Sequence, residues 1–352
     1  MSDTLLTDSA AQVFADAEAA ARGARSAPAW SASLWARVEE AGFAAALTYG
    51  EEGITSADAL GIVRTAAAHA APVPIGETMV AHWLLAEAGL AVPEGPLSFA
   101  AGDTLAATEG DGALYVEGRL AAVPYATEAA GLAVVVMVKA RPLVVHLRAA
   151  DYATERGMNL AREPRDDVVV RTAVPPDRFG PAPVGLAGLF AIGATLRSVA
   201  MAGALETLLA RTLAYAGERV QFGRPIAKFQ AVQHSLAQIA SETAAARAAA
   251  DMAAERLTGP DAGTLAAVAK VRAGEAATKA AGLAHQVHGA IGFTEEHALH
   301  LYTQRLWAWR DEFGTEAQWA LVLGEAALAA GASGYWPMVT ALDDAASGAA
   351  EA

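Results

Sequence analysis

The chain has 352 residues, of which 54% are hydrophobic and only 18% are charged. This length allows two or three domains around a large core. The absence of cysteine excludes disulfides, thiolate metal sites and a cysteine nucleophile. The formal net charge of −14 disfavours a nucleic-acid partner, because phosphate neutralisation requires basic patches that the sequence does not show.

Membrane insertion and secretion are also disfavoured by the sequence. The best apolar run, residues 130–138, is too short to span a bilayer and ends at Lys139. The first ten residues contain neither a basic segment nor an apolar signal core. We therefore expect a cytoplasmic protein without a membrane segment, and the low content of charged residues favours an oligomer.

Residues 1–92 are predicted to form an α-helical domain, because alanine-rich segments alternate there with short turn signals. Ser56 is the predicted N-cap of a helix over residues 57–70. Proline and glycine residues between positions 72 and 76 end this pattern. A further helix is predicted over residues 77–88.

Residues 93–177 are predicted to form an antiparallel β domain. Short apolar runs are separated there by Gly, Asp and Pro, which is typical of strands joined by turns. The predicted strands cover residues 97–99, 113–116, 132–138, 142–147 and 168–170. Two consecutive prolines, Pro175 and Pro176, mark the end of the domain.

Residues 178–352 are predicted to form a C-terminal helical bundle of the four-helix type. The predicted helices cover residues 185–216, 226–257, 262–289, 296–309 and 315–330. In the second of these, apolar residues such as Phe229 and Val232 recur every three or four positions. Pro225 fits the first turn of that helix, where its missing N–H costs nothing. The whole chain is therefore predicted to have an α+β fold with helical, β and helical domains in this order.

Two segments of the predicted bundle carry a distinctive sequence. The first reads ERVQFGRPI at residues 218–226 and is followed by KFQAVQ at residues 228–233. The second begins with QVHGA at residues 286–290 and continues as GFTEEHALHLYTQRLWAWRDEFGT at residues 292–315. In this order and at this separation, the two segments resemble the C-terminal domain of the flavin-dependent acyl-CoA dehydrogenases. The resemblance implies an α–β–α domain order that agrees with the predicted elements.

The first segment is suited to binding an anion. A helix N-terminus offers unpaired N–H groups, and an arginine beside it adds a bidentate donor for a phosphate. Taken alone, this segment predicts only a helix–turn–helix corner with a surface arginine. The resemblance implies a set of FAD contacts: Arg219 at the pyrophosphate, Gln221, Phe222, Phe229 and Gln230 around the ADP half, and Gln286, Gly289 and Ala290 reaching that half across a subunit interface.

The position of the catalytic base is occupied by Phe313. In much of the family a glutamate directly precedes a Gly-Thr pair and removes the substrate α-proton, but here Gly314 and Thr315 follow Phe313. A phenyl ring cannot accept a proton. The other position that the family uses, on the first helix of the bundle, falls at or near Gly193, which carries no carboxylate. We therefore predict no catalytic residue in this chain.

The middle region agrees with this prediction. The resemblance implies that residues 98–104 and 118–125 correspond to the stretches that cover the flavin ring in the family. Neither stretch contains the tryptophan or the Ser and Thr donors in the expected pattern. The chain thus retains residues for the ADP half of FAD and lacks those for the reacting ring.

Histidines near the second segment raise the question of acid–base chemistry or a metal site. His288 adjoins Gly289 and is interpreted as a packing or hydrogen-bonding residue. His297 and His300 can share a helix face with Glu296 nearby, but the sequence indicates no further ligands. We therefore predict no metal site.

These observations predict a chain that contacts FAD without performing chemistry. We expect the non-catalytic subunit of a heteromeric, α2β2 acyl-CoA dehydrogenase that desaturates a CoA thioester. FAD would be shared with a homologous catalytic partner, which would bind the acyl-CoA and pass electrons to an acceptor. A steroid-derived acyl group is favoured by analogy with such heteromers.

Two alternatives stay open at this point. The chain could be a self-sufficient homo-oligomeric acyl-CoA dehydrogenase that uses another carboxylate such as Glu312, and a Glu312→Gln variant is expected to discriminate. It could instead be a flavin-free structural or CoA-thioester-binding relative. The retained Arg219, Phe222 and Gln286 argue against that second alternative.

Overall fold

The computed structural model describes residues 2–23, 29–50 and 52–347, and its elements follow the predicted order of helices, strands and helices. The N-terminal helices are α1 (Ser2–Phe14), α2 (Ala17–Gly23), α3 (Ala32–Glu40), α4 (Ser56–Ala68) and α5 (Ile75–Glu87), with a 3-10 helix at Phe43–Thr48. The N-cap of α4 is Thr55, so the prediction of Ser56 is wrong by one residue. Thr55 and Asp58 form a capping box, in which each side chain accepts a hydrogen bond from the backbone N–H of the other.

The middle region contains two four-stranded sheets. Their strands are β1 (Leu97–Ala101), β2 (Leu105–Gly110), β3 (Ala113–Pro124), β4 (Gly131–Val138), β5 (Arg141–Arg148), β6 (Tyr152–Glu155), β7 (Arg165–Val174) and β8 (Phe179–Pro181). The strand orders are β1-β4-β5-β8 and β2-β3-β7-β6. Neighbouring strands are antiparallel, as predicted, except that β1 and β4 are parallel. This difference arises because the β2–β3 hairpin of the other sheet lies between β1 and β4 in the chain.

The two sheets enclose a hydrophobic core of their own. Val134 and Val136 of β4 belong to this core, together with Val145 of β5 and Val168 of β7. The alternate residue Val135 packs instead against the helices. Strand β4 is therefore buried on both faces, which explains the continuous apolar run that the sequence shows there. Strand β8 lies beyond residue 177, so the first sheet extends past the predicted domain end.

The C-terminal bundle is formed by five long segments. They are α6 (Leu186–Glu218), α7 (Gln230–Glu255), α8 (Ala262–His288), α9 (Leu299–Asp311) and α10 (Glu316–Ser347). Helix α10 continues beyond the predicted end and bends at Gly331, whose backbone is not helical (φ 68°, ψ 178°). By length and composition α6 is apolar enough to cross a membrane, but 78% of its most apolar stretch is buried inside the protein. Its composition is therefore that of a central core helix.

The helices at the two ends of the chain share one hydrophobic core. Leu60 of α4 and Met79 of α5 belong to the same buried cluster as Leu205 of α6. Phe99 of β1 and Val135 of β4 add one face of the first sheet to it. Phe313, in the loop after α9, packs against this core, which thus joins α5, α6, β1 and that loop.

Candidate functional site

The first predicted motif forms a short two-stranded ribbon after α6. Arg219 is the C-cap of α6, and its N–H donates to the carbonyl of Tyr215 at 2.9 Å. Strands β9 (Val220–Gln221) and β10 (Arg224–Pro225) pair across a turn in which Phe222 has a left-handed backbone (φ 52°). A 3-10 helix at Ile226–Lys228 then leads into α7.

The prediction that a helix begins at Pro225 is wrong. Pro225 has an extended backbone (φ −54°, ψ 140°), and the Ile226 N–H donates to the carbonyl of Arg219 at 2.8 Å. Because this pairing closes the ribbon, α7 begins only at Gln230, with Phe229 as its N-cap. The helix N-terminus that was predicted to bind an anion beside Arg219 therefore lies at Gln230, eleven positions after that arginine.

A surface groove of about 310 Å³ brings part of the predicted FAD-binding set together. Gln221, Phe222 and Phe229 line it from the ribbon side, and Gln286 lines it from the end of α8. Phe222 is 92% exposed, and its ring meets that of Phe229 edge to face with 6.1 Å between centroids. The guanidinium carbon of Arg224 lies 4.3 Å from the Phe229 ring centroid. The groove offers aromatic faces, side-chain amides and positive charge, which fit the adenine and phosphates of a dinucleotide.

The other residues predicted to contact FAD do not line this groove. They lie close in sequence to residues that do. Arg219, Gln230, Gly289 and Ala290 are all exposed. Within the part of the chain that the structure describes, the Arg219 side chain forms no ion pair. Gly289 has φ 63° and caps α8, so the chain turns there without a side chain in the way. These four positions are accessible to a ligand that extends beyond the groove.

Phe313 lies directly before Gly314, as the sequence states, and its ring points into the protein. Its backbone is left-handed (φ 52°), and the ring stacks on Phe99 of β1 with 5.5 Å between centroids. Phe190 of α6 meets the ring edge to face at 6.2 Å. A Cβ added at Gly193 would lie 2.2 Å from the Phe313 ring. The two positions considered for the base therefore contact each other, and the ring fills the space between β1 and α6.

Glu312 is held by three side chains. Arg165 donates to it at 2.8 and 3.0 Å, Arg197 donates at 2.6 Å, and the Asn159 amide donates at 3.0 Å. Burial by itself raises the pKa of this carboxyl. The charges of Arg165 and Arg197 and the hydrogen bonds outweigh that effect and lower the pKa to about 2. Glu312 is thus an ionised carboxylate whose oxygens already accept strong hydrogen bonds.

A buried ion network that joins the three regions of the chain surrounds Glu312. Its members are Glu77, Glu163, Arg165, Arg197, Arg305 and Glu312. Arg197 connects α5 to the loop after α9, because it donates to Glu77 at 2.7 Å as well as to Glu312. Three carboxylates balance three guanidinium groups, which is how buried charges are tolerated. The sequence singled out only Glu312, since its partners Arg165 and Arg197 lie 147 and 115 residues away.

A buried lysine fixes the loop that carries Phe313. Lys270 of α8 donates through Nζ to the carbonyls of Arg310 and Gly314. The Trp319 Nε1 donates to the carbonyl of Phe313 at 2.8 Å. Burial lowers the pKa of Lys270 to about 8. Helices α8 and α10 therefore hold this loop in place.

Of the two stretches that the resemblance relates to the flavin ring, residues 118–125 present only alanine and proline side chains to the groove beside Phe313. Residues 118–124 form the end of β3, where Ala121, Ala122 and Pro124 share a groove with Phe313. The Ala122 N–H already donates to the carboxylate of Asp167 at 2.8 Å. Alanine and proline side chains supply no donor for the polar edge of a flavin. Any side-chain donor to a ligand in this groove would therefore come from other segments, such as Asn159 and Arg165.

His288 is a packing and hydrogen-bonding residue, as predicted. It is 3% exposed, stacks on Tyr215 with 4.4 Å between centroids and donates through Nδ1 to the carbonyl of Ala284 at 2.8 Å. His300 donates through Nδ1 to the carbonyl of His297 at 2.8 Å. Among residues 2–23, 29–50 and 52–347, no three His, Asp or Glu side chains are arranged to hold a metal ion.

Comparison with known proteins relates the chain to one family. Residues 186–328 match the family described as acyl-CoA dehydrogenase, C-terminal domain. The acyl-CoA dehydrogenase IpdE2 of Mycobacterium tuberculosis is 42% identical over 118 residues, which are 34% of this chain and 36% of that protein. The match thus spans about a third of the length of such curated relatives.

Solved structures resemble nearly the whole chain. The ChsE4-ChsE5 complex from Mycobacterium tuberculosis contains a chain with a TM-score of 0.81 and 21% identity, covering 92% of this chain and 97% of that one. A variant of the Tcur3481-Tcur3483 steroid ACAD has a TM-score of 0.81 and 25% identity, covering 94% and 98%. The chain therefore has the fold of the acyl-CoA dehydrogenases, and its residues 186–328 match the C-terminal domain of that family.

Proposed function

We propose that this chain is the non-catalytic subunit of a heteromeric, FAD-dependent acyl-CoA dehydrogenase that desaturates a CoA thioester between its α- and β-carbons. One observation carries the proposal: the ring of Phe313, the residue at which the resemblance implies the base, packs directly against Gly193, at which it implies the alternative base. The same ring stacks on Phe99, so the space in which the α-carbon of a substrate would react is filled by side chains.

The reaction requires a carboxylate at the α-carbon in a dry cavity, and bound FAD supplies the acceptor for the β-hydride. Glu312 does not meet this requirement. Its oxygens are engaged by Arg165, Arg197 and Asn159, and its pKa of about 2 makes it a weak base. The self-sufficient alternative that uses Glu312 is therefore disfavoured.

The contribution of this chain is to the ADP half of FAD. The exposed Arg219 carries a charge that no described carboxylate neutralises, and Phe222 and Gln286 line the adjacent groove. A guanidinium binds a pyrophosphate through paired hydrogen bonds, and an aromatic face accepts a purine by stacking. A flavin-free relative would have no use for an exposed aromatic ring and an unpaired arginine at this place.

A partner chain is favoured by exposed apolar side chains. Phe222, Phe293 and Trp336 are large and mostly exposed, and Leu328 is 83% exposed. Such side chains are candidates for contacts with a partner chain, because contiguous exposed apolar surface marks interaction sites. The solved relatives include a complex named for two chains, ChsE4-ChsE5, and a steroid ACAD named for two chains. We infer a homologous catalytic partner, an α2β2 assembly, and a steroid-derived acyl-CoA bound by that partner.

An Arg219→Ala variant tests the ADP-half assignment. In the co-purified complex we expect the dissociation constant for FAD to rise by at least about tenfold, because a charge-assisted bidentate contact is worth about 1.5–3 kcal/mol, and the FAD retained per pair of unlike chains should fall accordingly. The thermal midpoint of this chain alone should stay unchanged, since Arg219 is exposed. The measurement is flavin absorbance after desalting.

Arg171→Ala is the matched control, because Arg171 is an exposed arginine on β7 in the middle region. Its complex should retain the wild-type flavin content. Equal flavin content in the Arg219→Ala and Arg171→Ala complexes would mean that Arg219 does not contact the cofactor.

A further inference from the structure

Three histidines meet where α8 ends and the loop to α9 begins. His285 and His288 lie on the last turn of α8, and His297 lies in the following loop. The rings of His288 and His297 are 4.7 Å apart between centroids. His285 is 7% exposed and His288 is 3% exposed, so both rings are removed from solvent. We refer to His285, His288 and His297 as the histidine cluster.

The hydrogen bonds of the two buried rings fit their neutral forms. The Nδ1–H of His288 donates to the carbonyl of Ala284, while its Nε2 is buried without a partner among the described residues. The Nε2 of His285 contacts the hydroxyl of Thr303 at 3.1 Å, and its buried Nδ1 likewise has no partner within the described ranges. A second proton on either ring would therefore place a charged N–H where no acceptor is available.

The surroundings of the cluster do not compensate such a charge. The nearby charged or titratable groups are Arg211 and Tyr215 on α6, Glu18 and Arg22 on α2, Glu295 and Glu296 in the loop, and His300 and Tyr302 on α9. Arg22 and Arg211 both disfavour a positive charge on His297. Glu18 is engaged by those two arginines and by the Tyr302 hydroxyl. Burial, as the main cause, lowers the pKa of all three rings of the cluster.

The loop that follows α8 lies directly on these rings. Gly292 is buried, and a Cβ added there would lie 2.9 Å from the His288 Cβ and 3.4 Å from the His285 Nδ1. The Phe293 ring stacks on His285 with 4.5 Å between centroids. The Tyr215 hydroxyl donates to the carbonyl of His288 at 3.2 Å. The segment from residue 289 to residue 298 is therefore held by contacts with the rings of the cluster. The two buried rings have no acceptor within the described ranges for a further N–H.

We propose that the histidine cluster is an acid-sensitive latch: it holds segment 289–298 against the bundle while its rings are neutral and releases that segment when they take up protons. The rings become solvated when the segment opens, and each then regains the ordinary proton affinity of histidine. Opening is thus coupled to proton uptake and becomes more frequent as the pH falls below about 6.5.

Hydrogen exchange of the full chain measures this coupling. The opening constant of segment 289–298, corrected for the intrinsic exchange rate at each pH, should rise by up to about tenfold per pH unit for each proton taken up between pH 6.5 and pH 5. We expect a slope between about −1 and −3 in a plot of the logarithm of the opening constant against pH. A slope near zero would overturn the proposal.

Substitutions identify the groups that take up the protons. His297→Phe keeps a ring against His288 but cannot be protonated, so the slope should become less steep by up to about one unit. His288→Asn keeps a donor for the Ala284 carbonyl and should act in the same direction. His234→Phe is the control, because His234 is exposed on α7, where its Nε2 hydrogen-bonds the Gln238 side chain. A slope in His297→Phe equal to that in the control would overturn the proposal, even if His288→Asn does not fold.

The consequence for the cofactor rests on the proposed function, since the segment includes Gly289 and Ala290. If both proposals hold, the co-purified complex loses FAD more readily at pH 5.5 than at pH 7.5, and His297→Phe reduces this loss. If segment 289–298 opens with the expected slope while FAD is retained, the latch is supported and the assignment of Gly289 and Ala290 to FAD fails. If FAD is lost without any slope in hydrogen exchange, the latch is overturned.

Discussion

Phe313 and Gly193 form a packed pair in which the aromatic ring lies against the backbone of the glycine. The aromatic ring needs the space that any side chain at residue 193 would occupy, and glycine provides it. The pair therefore couples the identity of residue 313 to the packing of α6 against β1. This coupling can be measured as an energy.

We expect Gly193→Ala to destabilise the protein by about 1–3 kcal/mol, because the new methyl group would overlap the Phe313 ring. The helix propensity of alanine offsets up to about 1 kcal/mol of this cost. In a Phe313→Ala background the overlap disappears, so Gly193→Ala should become neutral or stabilising. Urea denaturation of the four proteins gives the coupling free energy.

Gly217→Ala is the control on the same helix, because a Cβ at Gly217 meets no atom within 4 Å. It should have the same small effect whether residue 313 is Phe or Ala. An equal cost of Gly193→Ala in both backgrounds would show that the ring does not occupy this space in solution.

The ionisation of Glu312 makes the free energy of unfolding depend on pH in the acid range. Its carboxyl has a pKa of about 2 in the folded protein, below the ordinary value of 4.5, because Arg165 and Arg197 outweigh the effect of burial. The stabilisation is therefore fully present above about pH 4.5 and is lost as the pH falls towards 2. We expect Glu312→Gln to cost about 3–5 kcal/mol at pH 7 and to flatten the fall in stability between pH 5 and pH 3. Denaturant unfolding at several pH values measures both effects.

Because Glu312 belongs to a buried ion network, lost activity in a Glu312→Gln variant can be interpreted only together with its stability. From the sequence, loss of activity in the variant would have indicated a catalytic carboxylate. In the structure the same substitution breaks a buried ion network, so lost activity without lost stability is the only result that would support a catalytic role. An unchanged urea midpoint at pH 7 would contradict the network itself.

At the scale of elements, the period of apolar residues predicted the helices of the bundle because helix geometry is local. The start of α7 was missed, since the pairing of Val220 with Pro225 across the ribbon competes with the helix signal of Pro225. The parallel pairing of β1 with β4 was missed because strands brought together across an intervening hairpin leave no local pattern. Lys270 was missed for a similar reason: a lysine on a helix face is ordinarily solvated.

Lys270 connects α8 to the end of α9 and to the loop before α10. Lys270→Met should cost about 1–3 kcal/mol at pH 7, because the carbonyls of Arg310 and Gly314 lose their buried donor. The pKa of Lys270 is lowered to about 8 in the folded protein, so the unfolded chain binds the proton more tightly. Wild-type stability should therefore increase relative to the variant as the pH rises from about 8 to 10.5.

The measurement is the free energy of unfolding of both proteins at pH 7, 8.5 and 10. Lys279→Met is the control, since Lys279 is an exposed lysine on the same helix. A pH-independent difference between wild type and Lys270→Met would show that Lys270 titrates as an ordinary surface lysine.

At the scale of the whole molecule, the order of helical, β and helical regions could be predicted from texture and from the two motifs. Their arrangement could not, because it depends on contacts such as Arg197–Glu77 that join residues 120 positions apart. The ADP-half residues were proposed from local motifs, and four of them line one groove. From the sequence, Phe313 could be interpreted only as a replacement of the base. Its packing against Phe99 and Phe190 could not be predicted, since both residues are distant from it in sequence.

The central claim is that this chain holds part of an FAD that another chain uses. The most direct test is flavin absorbance per polypeptide, measured for this chain alone and after co-expression with a homologous chain that carries glutamate before its Gly-Thr pair. The account predicts no flavin in the chain alone and one FAD per pair of unlike chains in the complex. One FAD per polypeptide in the chain alone, with acyl-CoA dehydrogenase activity, would contradict it.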